Sequence, residues 1–264
     1  MSRPAYRVAC LLTIGLGVLL LTACSTKRIA MGPDVLKDLK PESPITIVHY
    51  DPEPFAIYRG ERAVRGTVLS MLFPLIGVAI QTGMEYSEAK EAGAKFISLS
   101  QLTDPITDLE ARFLNAWQTE TGVKKLGLPQ FTDDDDVGVL QTKYGTGYVL
   151  DFQTLGWFIS PHVQSMFSSD PQTYRAVYVA RSRLVRLVDK TVVWQGICEY
   201  DPDSSPIPTL KLTHLDGIDK GLAVRNEFNT LAVHCADLLW RQFFGKDAGP
   251  DLPSPPTLEK QALR

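Results

Sequence analysis

The chain has 264 residues, 27 of them Lys or Arg and 30 Asp or Glu, for a formal net charge of −3. A mildly acidic chain with no basic run has no bulk attraction for nucleic acid, so partners of that class are excluded. A hydrophobic share of 44% with 9% aromatics excludes an intrinsically disordered chain and points to a packed domain.

Arg3 and Arg7 lead into an apolar run that closes at Leu21-Thr22-Ala23-Cys24. The run is shorter than the ~20 apolar residues that cross a bilayer comfortably. A basic start, a short apolar core and small residues at its end make a secretory signal peptide over residues 1–23. At Leu21-Thr22-Ala23-Cys24 the chain resembles bacterial lipoproteins, matching their lipobox at all four positions. The resemblance implies cleavage after Ala23, diacylglycerol on the Cys24 thiol and a further acyl chain on its new amino group. Membrane lipid is then the first partner, and several acyl chains anchor stably at ~0.8 kcal/mol per buried methylene. In that family an aspartate after the cysteine favours the inner membrane. Ser25 stands there instead, which implies the periplasmic face of the outer membrane. Cys10 leaves with the signal peptide. The competing reading of Cys24 is an ordinary cysteine beside a signal anchor.

Residues 24–44 are polar and carry Pro33, Pro41 and Pro44, which reads as a tether. A folded domain is expected over 45–247. Residues 45–50 form a first strand, stopped by Asp51-Pro52-Glu53-Pro54 because proline removes ladder donors. Residues 66–84 contain no charge. Pro74, Gly77 and Gly83 would kink a single helix, so a helical hairpin is expected there. Three arrangements fit this insert: burial or self-association, in-plane or re-entrant membrane contact, and a true span. The first is preferred, since one crossing would carry the rest of the chain away from the side on which Cys24 is anchored.

An amphipathic helix is expected over 109–121, with Leu109, Phe113, Ala116 and Trp117 on one stripe and Gly122 as its stop. Residues 124–128 suit a short strand, and 133–136 a solvated acidic loop. Strands follow at 148–154, extendable to Ile159, at 174–188 and at 192–200, with a tight turn at Asp189-Lys190. On the last strand, period two puts Val192, Trp194, Gly196, Cys198 and Tyr200 on one face. Residues 201–208 form a proline-rich loop. The final helix is capped by Asn226, buries Phe228, Leu231, Ala232, Cys235, Leu238 and Leu239 along one stripe with Gln242, and ends at Gly245. Residues 248–264 read as a disordered Pro-rich tail.

This order predicts an α+β fold: a mostly antiparallel sheet with helices packed on one face, plus the apolar helical insert. Over residues 148–245 the pattern is similar to the periplasmic α/β domain of curli-export and synthase-activator lipoproteins. Val192-Val193-Trp194-Gln195-Gly196 is similar to a phrase of uncharacterised Gram-negative lipoproteins. The resemblance implies a role in binding or assembly.

No nucleophile elbow, zinc-binding His-Glu-x-x-His or phosphate loop is present, so no catalytic residue, metal or cofactor is assigned. His49, His162, His214 and His234 lack ligand spacing. Asp133–Asp136 lacks the alternation of a calcium loop. Glu199, Asp201 and Asp203 could pair as glycan-cleaving carboxylates, or simply belong to a polar loop. Arg175, Arg181 and Arg183 share a strand face, expected to be solvated. In an exported chain Cys198 and Cys235 form an even pair, expected as a disulfide between the last strand and the last helix. The expected function is non-enzymatic: an outer-membrane-anchored lipoprotein that binds or assembles with an envelope partner or with itself. The rivals are an envelope hydrolase and a membrane-inserting oligomeric component.

Overall fold

The computed structural model describes residues 28–39, 43–58, 82–122, 126–165, 168–199, 210–215 and 221–245. Residues 66–81 of the insert expected at 66–84, Cys24 and the tail at 248–264 lie outside them, as do Asp201 and Asp203.

The described strands form one mixed sheet. β1 (Ile45–Tyr50), β3 (Gln130–Thr132), β4 (Tyr148–Ser165), β5 (Ser168–Arg186) and β6 (Thr191–Glu199) take the order β3-β1-β4-β5-β6. Short β2 (Ala56–Ile57) and β7 (Leu210–Lys211) join β4 and β5. β1 runs parallel to both β3 and β4, and β2 parallel to β4. Only the β4–β5–β6 half and β7 are antiparallel. The expected mostly antiparallel sheet is therefore corrected to a mixed one. The cause is the connection from β1 to β3, which contains α2 (Thr82–Ser100) and α3 (Ile106–Thr121). A helical crossover returns the next strand parallel, whereas a tight turn returns it antiparallel.

The helices occupy both faces, not one. α3 and α6 (Leu222–Phe244), the latter preceded by the short α5 (Leu212–Leu215), cover the first face, where Phe113, Trp117, Phe152, Trp194 and Phe243 form an aromatic centre. Phe113 meets Phe243 edge-on at 5.6 Å, and Trp194 meets Phe243 at 4.8 Å. α4 (Val137–Tyr144) covers the second face, placing Leu140 on Val48, Tyr50, Val149, Val185 and Leu187. Asp136 caps α4, accepting from the Gly138 and Val139 N–H groups, so the acidic run is in part a helix start. α3 ends at Gly122, left-handed at φ 69°, as its glycine stop requires. α6 begins one turn before the expected cap, at Leu222, and Asn226 lies inside it.

α2 crosses close over β2. A Cβ at Gly93 would collide with the Phe55 carbonyl, so only glycine permits that approach. The hairpin at Asp189-Lys190 forms as expected, with Lys190 at φ 56° supplying the positive φ. A register shift opposite Leu184/Val185 moves Val192 to the second face, while Trp194 and Cys198 stay on the first.

Residues 28–39 belong to the domain and not to a tether. Ile29 pairs with Gln195 on β6, and α1 (Pro33–Asp38) follows. Met31, Val35, Leu36 and Leu39 pack on the main core.

Candidate functional site

The two edges of the sheet are built differently. At β6, Ile29 and Gln195 exchange both backbone hydrogen bonds at 3.0 Å. Two residues along, Gln242 of α6 accepts from the Ile197 N–H and donates to its carbonyl, both at 3.0 Å. A backbone strap and a side-chain amide thus occupy the groups that another strand would use. At β3 no further strand lies outside among the described residues. Leu128 and Phe131 are exposed there, at 86% and 49%.

Behind β3, the His49 ring meets Phe131 at 6.0 Å. His49 Nδ1 lies 3.5 Å from Glu110 Oε2, which comes from α3. Glu110 is buried and His49 is about a quarter exposed. Burial raises the Glu110 carboxyl from 4.5 to about 7. Just ahead of α3 lies Asp104, whose Oδ1 accepts from Thr154 Oγ1 at 2.8 Å and from the Ile106 N–H at 3.1 Å. Thr154 Oγ1 in turn lies 3.1 Å from the Tyr178 hydroxyl. Burial raises Asp104 to about 6, against the pull of those two hydrogen bonds. On α6, Glu227 is raised to about 7 by burial, against the nearby charge of Arg175.

Parallel strands usually take ligands at their carboxyl ends, where the crossovers diverge. Here the chain's own Asp51-Pro52-Glu53-Pro54-Phe55 lies between the end of β1 and the start of β2 along β4. Trp157 Nε1 donates to the Glu53 carbonyl at 2.5 Å, pinning that segment.

The second face carries a buried ionic lattice. Arg183 pairs with Asp151 at 2.6 Å, and the Tyr50 hydroxyl donates to the same carboxylate at 2.9 Å. Arg181 reaches Asp135 at 2.7 Å, and Arg183 donates to the Asp135 carbonyl at 2.9 Å. Burial would raise the Asp135 carboxyl, but the Arg181 hydrogen bond and charge, with Arg183, hold it below the ordinary range. Arg181 and Arg183 are 9% and 7% exposed, which corrects the expected solvated face. Asp135, expected on a solvated turn, instead ties its loop to the sheet.

Cys198 and Cys235 are bonded, with a Cα separation of 5.3 Å, and both are fully buried. The histidines are dispersed. His49 meets Glu110, His214 accepts from the Lys211 N–H at 3.2 Å, and burial lowers His234. Among the described residues no group of three or more His, Cys, Asp or Glu could hold a metal. No helix among them is long and apolar enough to cross a membrane. Glu110, Asp104 and Glu227 were not singled out by sequence. A carboxylate on the core stripe, as Glu110 is three residues before Phe113 and seven before Trp117, was the available signal.

No protein-family model matches the chain, and no curated protein matches it by sequence. Solved structures give distant likenesses. The PelC dodecamer from Paraburkholderia phytofirmans is 10% identical with a TM-score of 0.25, over 78% of this chain and 95% of that one. A neuraminyllactose-binding hemagglutinin homolog from Helicobacter pylori is 11% identical with a TM-score of 0.32, over 78% and 88%. Lipoprotein GNA1162 from Neisseria meningitidis is 15% identical with a TM-score of 0.21, over 71% and 99%.

Proposed function

We propose that this chain is an envelope lipoprotein, anchored through acylated Cys24 at the periplasmic face of the outer membrane. Its domain binds or assembles with an envelope partner and performs no catalysis. The buried Cys198–Cys235 bond carries the reading, because structural disulfides persist in oxidising compartments. It supports export independently of the lipobox. The β3 edge supplies the binding surface. β3 is paired with β1 on one side only, and Lys143 Nζ donates to its Phe131 carbonyl at 3.2 Å; beside that contact, exposed Leu128 and Phe131 can meet a partner strand or cover an apolar face. The test is a photo-crosslinker placed at Leu128 or at Gln195 in intact cells. A discrete adduct, with a second protein or a second copy, is expected from Leu128 only. Adducts from both positions, or from neither, overturn the assignment of the edge.

One observation favours the hydrolase reading as a second choice. Burial raises the Glu110 carboxyl to about 7 beside His49, the direction a general acid requires. Clearing of peptidoglycan by wild-type protein and its loss in Glu110→Gln would replace the binding reading with this one.

A further inference from the structure

We infer that the β6 edge is the membrane-proximal side of the domain, held against the bilayer surface, and that the β3 edge faces away from it. The inference rests on the reading of Cys24 as the acylated residue. Ile29 lies five residue steps after Cys24, with four residues between them. A fully extended chain spans at most ~3.6 Å per residue, so the Ile29 Cα lies within about 18 Å of the anchor. Ile29 is not the loose end of a linker. Its N–H and carbonyl both bond Gln195 at 3.0 Å, and the following residues Met31, Val35, Leu36 and Leu39 are packed on the core. The distance from the lipid to β6 is therefore bounded by that reach.

The charge in this gap suits an anionic lipid surface. Lys27 follows the anchor in sequence, and Arg28 is exposed at the start of the strap. Basic residues beside an anchored segment are drawn to acidic headgroups within a Debye length. Four strand spacings of ~4.8 Å separate β6 from β3, which puts the open edge about 19 Å further along the sheet. Leu128 and Phe131 are thereby presented to a partner, not to the lipid to which the chain is attached.

The experiment uses the full acylated chain in vesicles of phosphatidylethanolamine and phosphatidylglycerol carrying a headgroup quencher. Cys198 and Cys235 are bonded, so a single cysteine introduced as Ala30→Cys or Leu128→Cys takes a fluorophore selectively. Mass spectrometry of the N-terminal peptide comes first. If Cys24 carries no acyl chain, the anchor reading fails and this inference falls with it. With acyl chains present, the Ala30 label should be quenched several-fold more strongly than the Leu128 label. A Gly-Ser linker of about twelve residues inserted after Lys27 adds roughly 20 Å of reach and should abolish the difference. Equal quenching at the two positions, or a difference that survives the linker, overturns the orientation while leaving the anchor intact.

Discussion

Gln242 holds Ile197 as a paired strand would, donating to its carbonyl and accepting from its N–H, both at 3.0 Å. The amide sits on the last turn of α6, so the helix that covers the core also closes the sheet's margin. Gln242→Ala should cost about 1–3 kcal/mol, the range for losing two hydrogen bonds at a partly buried site. It should also expose a strand edge. Urea denaturation reads the first effect, and concentration-dependent size-exclusion chromatography the second. A variant of unchanged stability that remains monomeric would deny Gln242 this role.

The Cys198–Cys235 bond joins β6 to α6 across 37 residues of sequence. The chain-entropy relation assigns a closed loop of that length about 3–4 kcal/mol. A Cys198→Ala/Cys235→Ala double variant should lose stability on that order and become insensitive to reductant. Thiol labelling of denatured, unreduced wild-type protein should find neither residue reactive.

Glu110 makes stability depend on pH. Its folded carboxyl is raised from 4.5 to about 7 by burial, so the folded state binds the proton more tightly than the unfolded chain. The stabilisation is complete below pH 4.5 and is lost as pH rises through about 7. Glu227 and Asp104 act in the same direction up to about 7 and about 6. Asp135, held low by Arg181 and Arg183, acts in the opposite sense and weakens the fold as pH falls. Glu110→Gln should therefore stabilise the protein at pH 8 by about 1–2 kcal/mol and change it little at pH 5. Thermal unfolding at the two pH values measures the difference. An equal effect at both would mean that the carboxyl is not protonated in the fold.

Asp151 accepts from Tyr50 and from both the backbone and the guanidinium of Arg183, and it is fully buried. Asp151→Ala leaves Arg183 buried with its nearest charge removed, a change that costs about 3–5 kcal/mol. Asp151→Ala/Arg183→Met removes both charges and should recover much of the loss. Chemical denaturation of the single and double variants separates the two outcomes.

Where local pattern and burial agree, sequence carried the fold. Phe113 and Trp117 recur at helical spacing and are buried, and the strand at 45–50 ends at Tyr50, ahead of its proline stop. The Cys198–Cys235 geometry also followed from two inward-facing periodicities. What was not legible is non-local. The parallel partnership of β1 with β3 and β4 depends on helices α2 and α3 acting as a crossover. Arg181 and Arg183 read as a solvated stripe because the carboxylates that neutralise them, Asp135 and Asp151, come from other parts of the chain. Glu110 was hidden because one polar residue within an amphipathic helix does not disturb its period.

The strap from Ile29 to Gln195 also bears on the order in which the domain folds. Its two members lie far apart in sequence, at positions 29 and 195, and β6 first has to pair with β5 before Gln195 presents a strand edge. Contacts of such long sequence separation carry a large loop-closure cost until intervening structure has brought their ends together. Ile29 is thus among the last residues to dock, and a fluorophore at Ala30 should report a slower refolding phase than the buried tryptophans.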